Sequence, residues 1–63
     1  MKGFIRVTQE VEFCRYEAYF KAEDISGIMA DDCDKAQILI GGKIINVIES
    51  IDELRKLIRL ARQ

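Results

Sequence analysis

Residues 36–49 read Ala36-Gln37-Ile38-Leu39-Ile40-Gly41-Gly42-Lys43-Ile44-Ile45-Asn46-Val47-Ile48-Glu49, two aliphatic runs on either side of a glycine pair. Two glycines adopt the positive φ angles of a tight type I′ turn without steric cost, so the stretch reads as a β-hairpin. A two-residue loop fixes the register: Ile40 faces Lys43, Leu39 faces Ile44, Ile38 faces Ile45, Gln37 faces Asn46 and Ala36 faces Val47. Side chains alternate along a strand, so Ala36, Ile38, Ile45 and Val47 share one face while Leu39 and Ile44 are left with Gln37 and Asn46 on the other.

The apolar face of the ribbon needs a cover, and the next residues supply one. Ser50-Ile51-Asp52-Glu53 has the pattern of a capping box, in which serine and glutamate satisfy each other's orphan amides at a helix start. Ile51, Leu54, Leu57, Ile58 and Ala61 then recur at three- and four-residue spacing, the apolar stripe of a helix over about Ser50 to Arg62. Asp52 and Glu53 fall at its positive dipole end, and Arg59 and Arg62 at its negative end.

Before the ribbon the pattern is less decisive. Phe4 to Thr8 reads as a strand with Ile5 and Val7 on one side. Between Gln9 and Asp24, alternation at Tyr16, Ala18 and Phe20 fits a strand, whereas Cys14, Ala18, Ala22 and Ile25 fit helical spacing; the crowd of aromatics favours strands. Lys21 to Asp24 reads as a turn into a short strand, Ile25 to Met29, and Asp31 to Lys35 as the loop leading to the ribbon. The fold class expected is α+β, a small antiparallel sheet of three to five strands with one C-terminal amphipathic helix on one face, in a single domain spanning residues 1–63.

At 63 residues the chain buries only ~60% of its unfolded surface, and domains of this size usually lean on disulfides, a metal or a partner chain. Cys14 and Cys33 are too few for a disulfide framework and read as free, buried thiols. With 49% apolar residues, a homo-oligomer or another protein partner is the expected support. No run approaches the ~20 apolar residues of a membrane span, and Arg6 falls where a secretory leader would stay apolar, so the chain is expected in the cytoplasm.

Chemistry is sparse. Without a histidine, base duty would fall to a carboxylate, lysine or tyrosine, and the two cysteines are nucleophiles only in name. Cys33 lies between Asp32 and Asp34, a poor setting for a thiolate, and Cys14 lies in an apolar run. No catalytic residue, cofactor or metal site is therefore expected. Asp31, Asp32 and Asp34 could offer oxygens to a hard cation, but the bend glycine and distant glutamate of a calcium loop are missing, and the cluster reads as a solvated turn. Gly41-Gly42-Lys43 lacks the spacing of a phosphate loop.

Two surfaces remain as candidates. Leu39 and Ile44, side by side on the outer face, would serve self-association or a protein partner. Arg55, Lys56, Arg59 and Arg62 on the helix could follow a phosphate backbone, although ten basic against eleven acidic residues leave a net charge of −1, without the basic excess that nucleic-acid binding usually shows.

The opening strand Phe4-Ile5-Arg6-Val7-Thr8, the middle strand Asp24-Ile25-Ser26-Gly27-Ile28, and the glycine hairpin running through Val47-Ile48-Glu49-Ser50 into the helix resemble the small FlbD-type swarming-motility proteins of flagellar operons. The second half, with Ser50-Ile51-Asp52-Glu53-Leu54 after the hairpin, also resembles the LytTR domain. Acidic Asp31-Asp32-Cys33-Asp34 stands where LytTR domains carry basic DNA-gripping loops. The function expected is that of a small non-enzymatic protein-interaction module in regulation or assembly, with a nucleic-acid-binding accessory protein as the alternative.

Overall fold

The computed structural model describes residues 3–33 and 35–63; Asp34, one of the three clustered aspartates, lies outside them. Strands β1 (Phe4–Val11) and β2 (Cys14–Lys21) form one antiparallel hairpin. A single 3-10 turn, Ala22–Asp24, leads to β3 (Ile25–Ala30), β4 (Ala36–Ile40) and β5 (Lys43–Asn46), a three-stranded antiparallel meander. Helix α1 (Ile51–Ala61) closes the chain. The α+β expectation holds, and the undecided stretch between Gln9 and Asp24 is strand up to Lys21, broken only by the turn at Glu12 and Phe13.

The glycine ribbon has the register that turn geometry requires, from Gln37 opposite Asn46 to Ile40 opposite Lys43. Gly41 and Gly42 both take positive φ, 57° and 78°. Val47 donates its N–H to the Ala36 carbonyl at 3.2 Å, one step beyond the regular ladder. The first hairpin makes the same kind of turn without glycine: Glu12 and Phe13 sit at φ 48° and 68°. For residues with a Cβ that conformation costs about 1–2 kcal/mol each, and sequence inspection gives no hint of it.

The inner faces of both sheets meet α1. Ile5 and Val7 from β1, Ala36 and Ile38 from β4, and Val47 are buried with Leu54 and Ala61 of the helix, and Ile45, Leu57 and Ile58 pack around them. The ribbon face expected to be covered is the covered one. The helix, however, comes closest to β1 and β3 and not to the middle of the ribbon, so it bridges the two sheets.

Where the sheets join, a side chain takes over from the backbone. Val47 forms a single bridge with Gln9, and Ile48 donates its N–H to the Thr8 carbonyl at 3.0 Å. In a regular antiparallel pair the Ile48 carbonyl would accept the Thr8 N–H in return, and that bond is not made. Both carboxylate oxygens of Glu49 accept the Thr8 N–H instead, at 2.8 and 3.0 Å. Ser50 then caps α1: the Glu53 N–H donates to Ser50 Oγ at 3.2 Å, and the Ser50 N–H donates to Glu53 Oε1 at 3.4 Å. At the other end of the helix, Gly3 donates its N–H to the Ala61 carbonyl at 3.0 Å and accepts from Ala22 at 2.8 Å.

Charge-assisted bonds are the stronger kind, and a part-buried amide left without an acceptor costs about 1–3 kcal/mol. Glu49→Ala is expected to lower the unfolding free energy by about that amount in urea denaturation, and Glu49→Gln, which keeps one acceptor oxygen, by less. An unchanged midpoint for both would show that the Thr8 amide finds water. Leu54 is fully buried between the sheets, and Leu54→Ala is expected to cost about 2–5 kcal/mol in the same assay.

Candidate functional site

The outer face of the meander carries one of the two surfaces foreseen in the sequence. Leu39 lies directly across from Ile44 and from Gly27, and Met29 on β3 lies diagonal to Leu39, opposite Gln37 and two residues along. Ile44 is 56% exposed and Met29 37%, while Leu39, expected to be fully outward, is half-buried. Beside them the Gln37 side-chain amide donates to Asn46 Oδ1 at 2.8 Å, which pairs the polar groups of the face with each other. No described helix or strand lies over this patch.

A second apolar surface was not legible in the sequence. The strands of the first hairpin are eight residues long, and the distal half reaches past the core, in keeping with overall dimensions of 32 × 21 × 20 Å. There the inward-facing side of the hairpin has nothing to cover: Val11, Cys14 and Tyr16 are exposed, and Phe13 at the tip is fully exposed. Tyr16 and Tyr19 are each about half-exposed, and of the three aromatics of β2 Phe20 alone packs against the core. The signal that could have found this arm is the match of strand lengths around Glu12-Phe13, which only the strand reading of residues 9–24 makes visible. Lys35 pairs with Glu10 at 3.6 Å and so ties the arm to the β3–β4 loop, with Phe13 and Asn46 lining the same shallow depression of about 280 Å³.

The basic residues of α1 are only partly brought together. Arg55, Arg59 and Arg62 line one groove of about 510 Å³ between the helix and β3, floored by Ile25, Ile28 and Ile58. Lys56 is exposed on the helix and does not line the groove. Among the described residues the ion pairs use Arg6, Arg15, Lys21 and Lys35, so none of the groove arginines is ion-paired; Gln63 lines the groove beside them, and Arg62 donates a single long bond, 3.5 Å, to the Ala22 carbonyl.

In the acidic loop, Asp31 Oδ1 accepts the N–H groups of Cys33 and Lys35 at 2.8 and 2.9 Å, a local turn that already occupies one of its oxygens. Among the described residues no group of three acidic or cysteine side chains converges as a metal site would. Cys14 and Cys33 are free, as expected, but both are exposed and not buried: one sits on the overhanging arm and the other in the loop. No helix of the described residues is long and apolar enough to cross a membrane.

Comparisons with protein-family models, with curated proteins and with solved structures give no match to this chain.

The exposure of both thiols has a direct consequence. In the chain diluted to its monomer both cysteines are expected to react with an aromatic disulfide reagent as fast as in the denatured chain, with two equivalents released per chain. A slow phase that disappears in denaturant would mean that one thiol is covered in solution, as it would be for Cys14 if the arm packs against another molecule.

Proposed function

We propose that the chain is a small non-enzymatic interaction module that works through protein contacts, the first of them with a second copy of itself. The observation that carries this reading is the uncovered outer face of the meander, where Met29, Leu39 and Ile44 stand together on three adjacent strands. At ~4.8 Å between strands and ~3.3 Å per residue, that face measures about 14 by 16 Å. A stable interface takes about 800 Å² from each partner, roughly a sixth of the 4701 Å² that this chain exposes. The outer face falls short of that alone, so the interface would draw on further surface, for which the bare side of the arm is the candidate.

Phe13 supports the same reading. A fully exposed phenylalanine held at positive φ is costly in an isolated domain, and strain of this kind tends to persist where it serves a contact. The absence of histidine, and the acidic setting of Cys33 that disfavours its thiolate, favour a binding role over an enzymatic one. The order of elements that resembles FlbD-type proteins supports a cytoplasmic setting in regulation or assembly.

Light scattering after size exclusion is expected to give about twice the 7.3 kDa chain mass for the wild type. The double variant Leu39→Lys, Ile44→Lys should run as a monomer, and Phe13→Ser should weaken the dimer. A wild type that stays monomeric at millimolar concentration removes the self-association reading.

A further inference from the structure

We propose that the groove between β3 and α1 receives an extended acidic segment of a partner protein, which pairs with β3 as an added strand. This surface is separate from the outer face and the arm, and the inference does not depend on the proposed dimer.

Strand β3 is outermost in its sheet, hydrogen-bonded to β4 on one side only. Alternate residues of an edge strand direct their N–H and C=O groups away from the sheet, and among the described residues the far side of β3 has no other strand to meet them. Proteins guard such edges with charges or proline, because a bare edge invites another chain to pair. Across the single Gln9–Val47 bridge the strands run β2-β1-β5-β4-β3, and β2 at the far end is guarded in this way by Arg15, Glu17 and Lys21. Strand β3 reads Ile-Ser-Gly-Ile-Met-Ala from Ile25 to Ala30, with neither a charge nor a proline. Its one irregularity is the register shift between Ile25 and Gly27. Nothing inside the fold demands glycine at position 27, since a Cβ there would meet no atom within 4 Å; its effect is to keep the strand's outer surface low.

The groove beside this edge selects the sign of the guest. Arg55, Arg59 and Arg62 stand at i, i+4 and i+7 on one flank of α1, above an aliphatic floor of Ile25, Ile28 and Ile58. Four helical residues advance about 6 Å, close to the ~6.6 Å between alternate side chains of a strand. A peptide running along β3 would therefore turn every second side chain toward the helix, where successive carboxylates would meet Arg55 and Arg59 while its backbone pairs with the edge. Main-chain bonds would supply affinity, and the alternate positions specificity. A volume of about 510 Å³ suits such side chains. A phosphate backbone would use the arginines but neither the aliphatic floor nor the strand edge, and the chain as a whole is acidic, with a net charge of −1.

The test is fluorescence anisotropy on the full chain with a fluorescein-labelled peptide of alternating glutamate and valine. Three other probes serve as comparisons: its lysine counterpart, the same acidic peptide with prolines in place of half the valines, and labelled duplex DNA. The acidic peptide is expected to bind at micromolar Kd and to weaken as salt is raised. Arg55→Glu combined with Arg59→Glu, both exposed helix positions whose folding is checked by circular dichroism, should weaken it at least ~10-fold, and the proline peptide should not bind. Leu39→Lys with Ile44→Lys should leave it unchanged, so a monomeric variant that still binds the peptide separates this inference from the proposed dimer. Amide NMR shifts confined to residues 25–30 and the facing side of α1 would support the added strand. Equal binding of the lysine peptide, no binding of the acidic peptide up to millimolar concentration, or tighter binding of duplex DNA would overturn it.

Discussion

Ile5 and Val7 of β1, Ile38 of β4 and Leu54 of α1 are almost wholly removed from water, and they come from both sheets and the helix that bridges them. Neither sheet could bury its apolar face alone: a two-stranded hairpin has no interior, and a three-stranded meander has one bare side. The helix lends a single stripe to both. Each of these side chains contributes about 1.5–3 kcal/mol by leaving water, and for a domain this small a few such terms are a large part of the whole margin. The rest of the architecture serves to keep that stripe in place.

Two local devices do this at opposite ends of the helix. At its start, Glu49 supplies the acceptor that the sheet loses when the chain departs for α1, and Ser50 and Glu53 cap the amides that the helix leaves open. At its end, Gly3 joins the last turn to the beginning of β1 through the Ala61 carbonyl. The helix is thus fastened at both ends to the first hairpin, which explains why it lies nearer β1 than the ribbon that precedes it. The same placement sets Arg55, Arg59 and Arg62 over the β3 edge, so the groove is a by-product of how the core closes.

A core this small also decides what stays bare. One helix of eleven residues covers one side of the strands, and the other side of the meander keeps Met29, Leu39 and Ile44 in water. The first hairpin is longer than the helix can shelter, so its distal half projects with Phe13 at the tip. Apolar surface left over in this way is where a second molecule gains most, and the uneven guarding of β2 and β3 gives the two outer strands different prospects.

The sequence by itself determined whatever depends on neighbours a few residues apart: the glycine turn and the register of residues 37–46, the capping box at Ser50, and the stripe that ends in Ala61. Those signals are local because a two-residue loop leaves one pairing and a helix start leaves a fixed set of amides to satisfy. Tertiary structure alone decided the arm, the bidentate acceptance by Glu49, the exposure of Cys14 and Tyr16, and the gathering of three of the four basic helix residues along β3. Each of these rests on distance between segments remote in sequence. A residue on the apolar side of a strand is buried only if another element reaches it, and how far α1 reaches is set by where the two sheets meet.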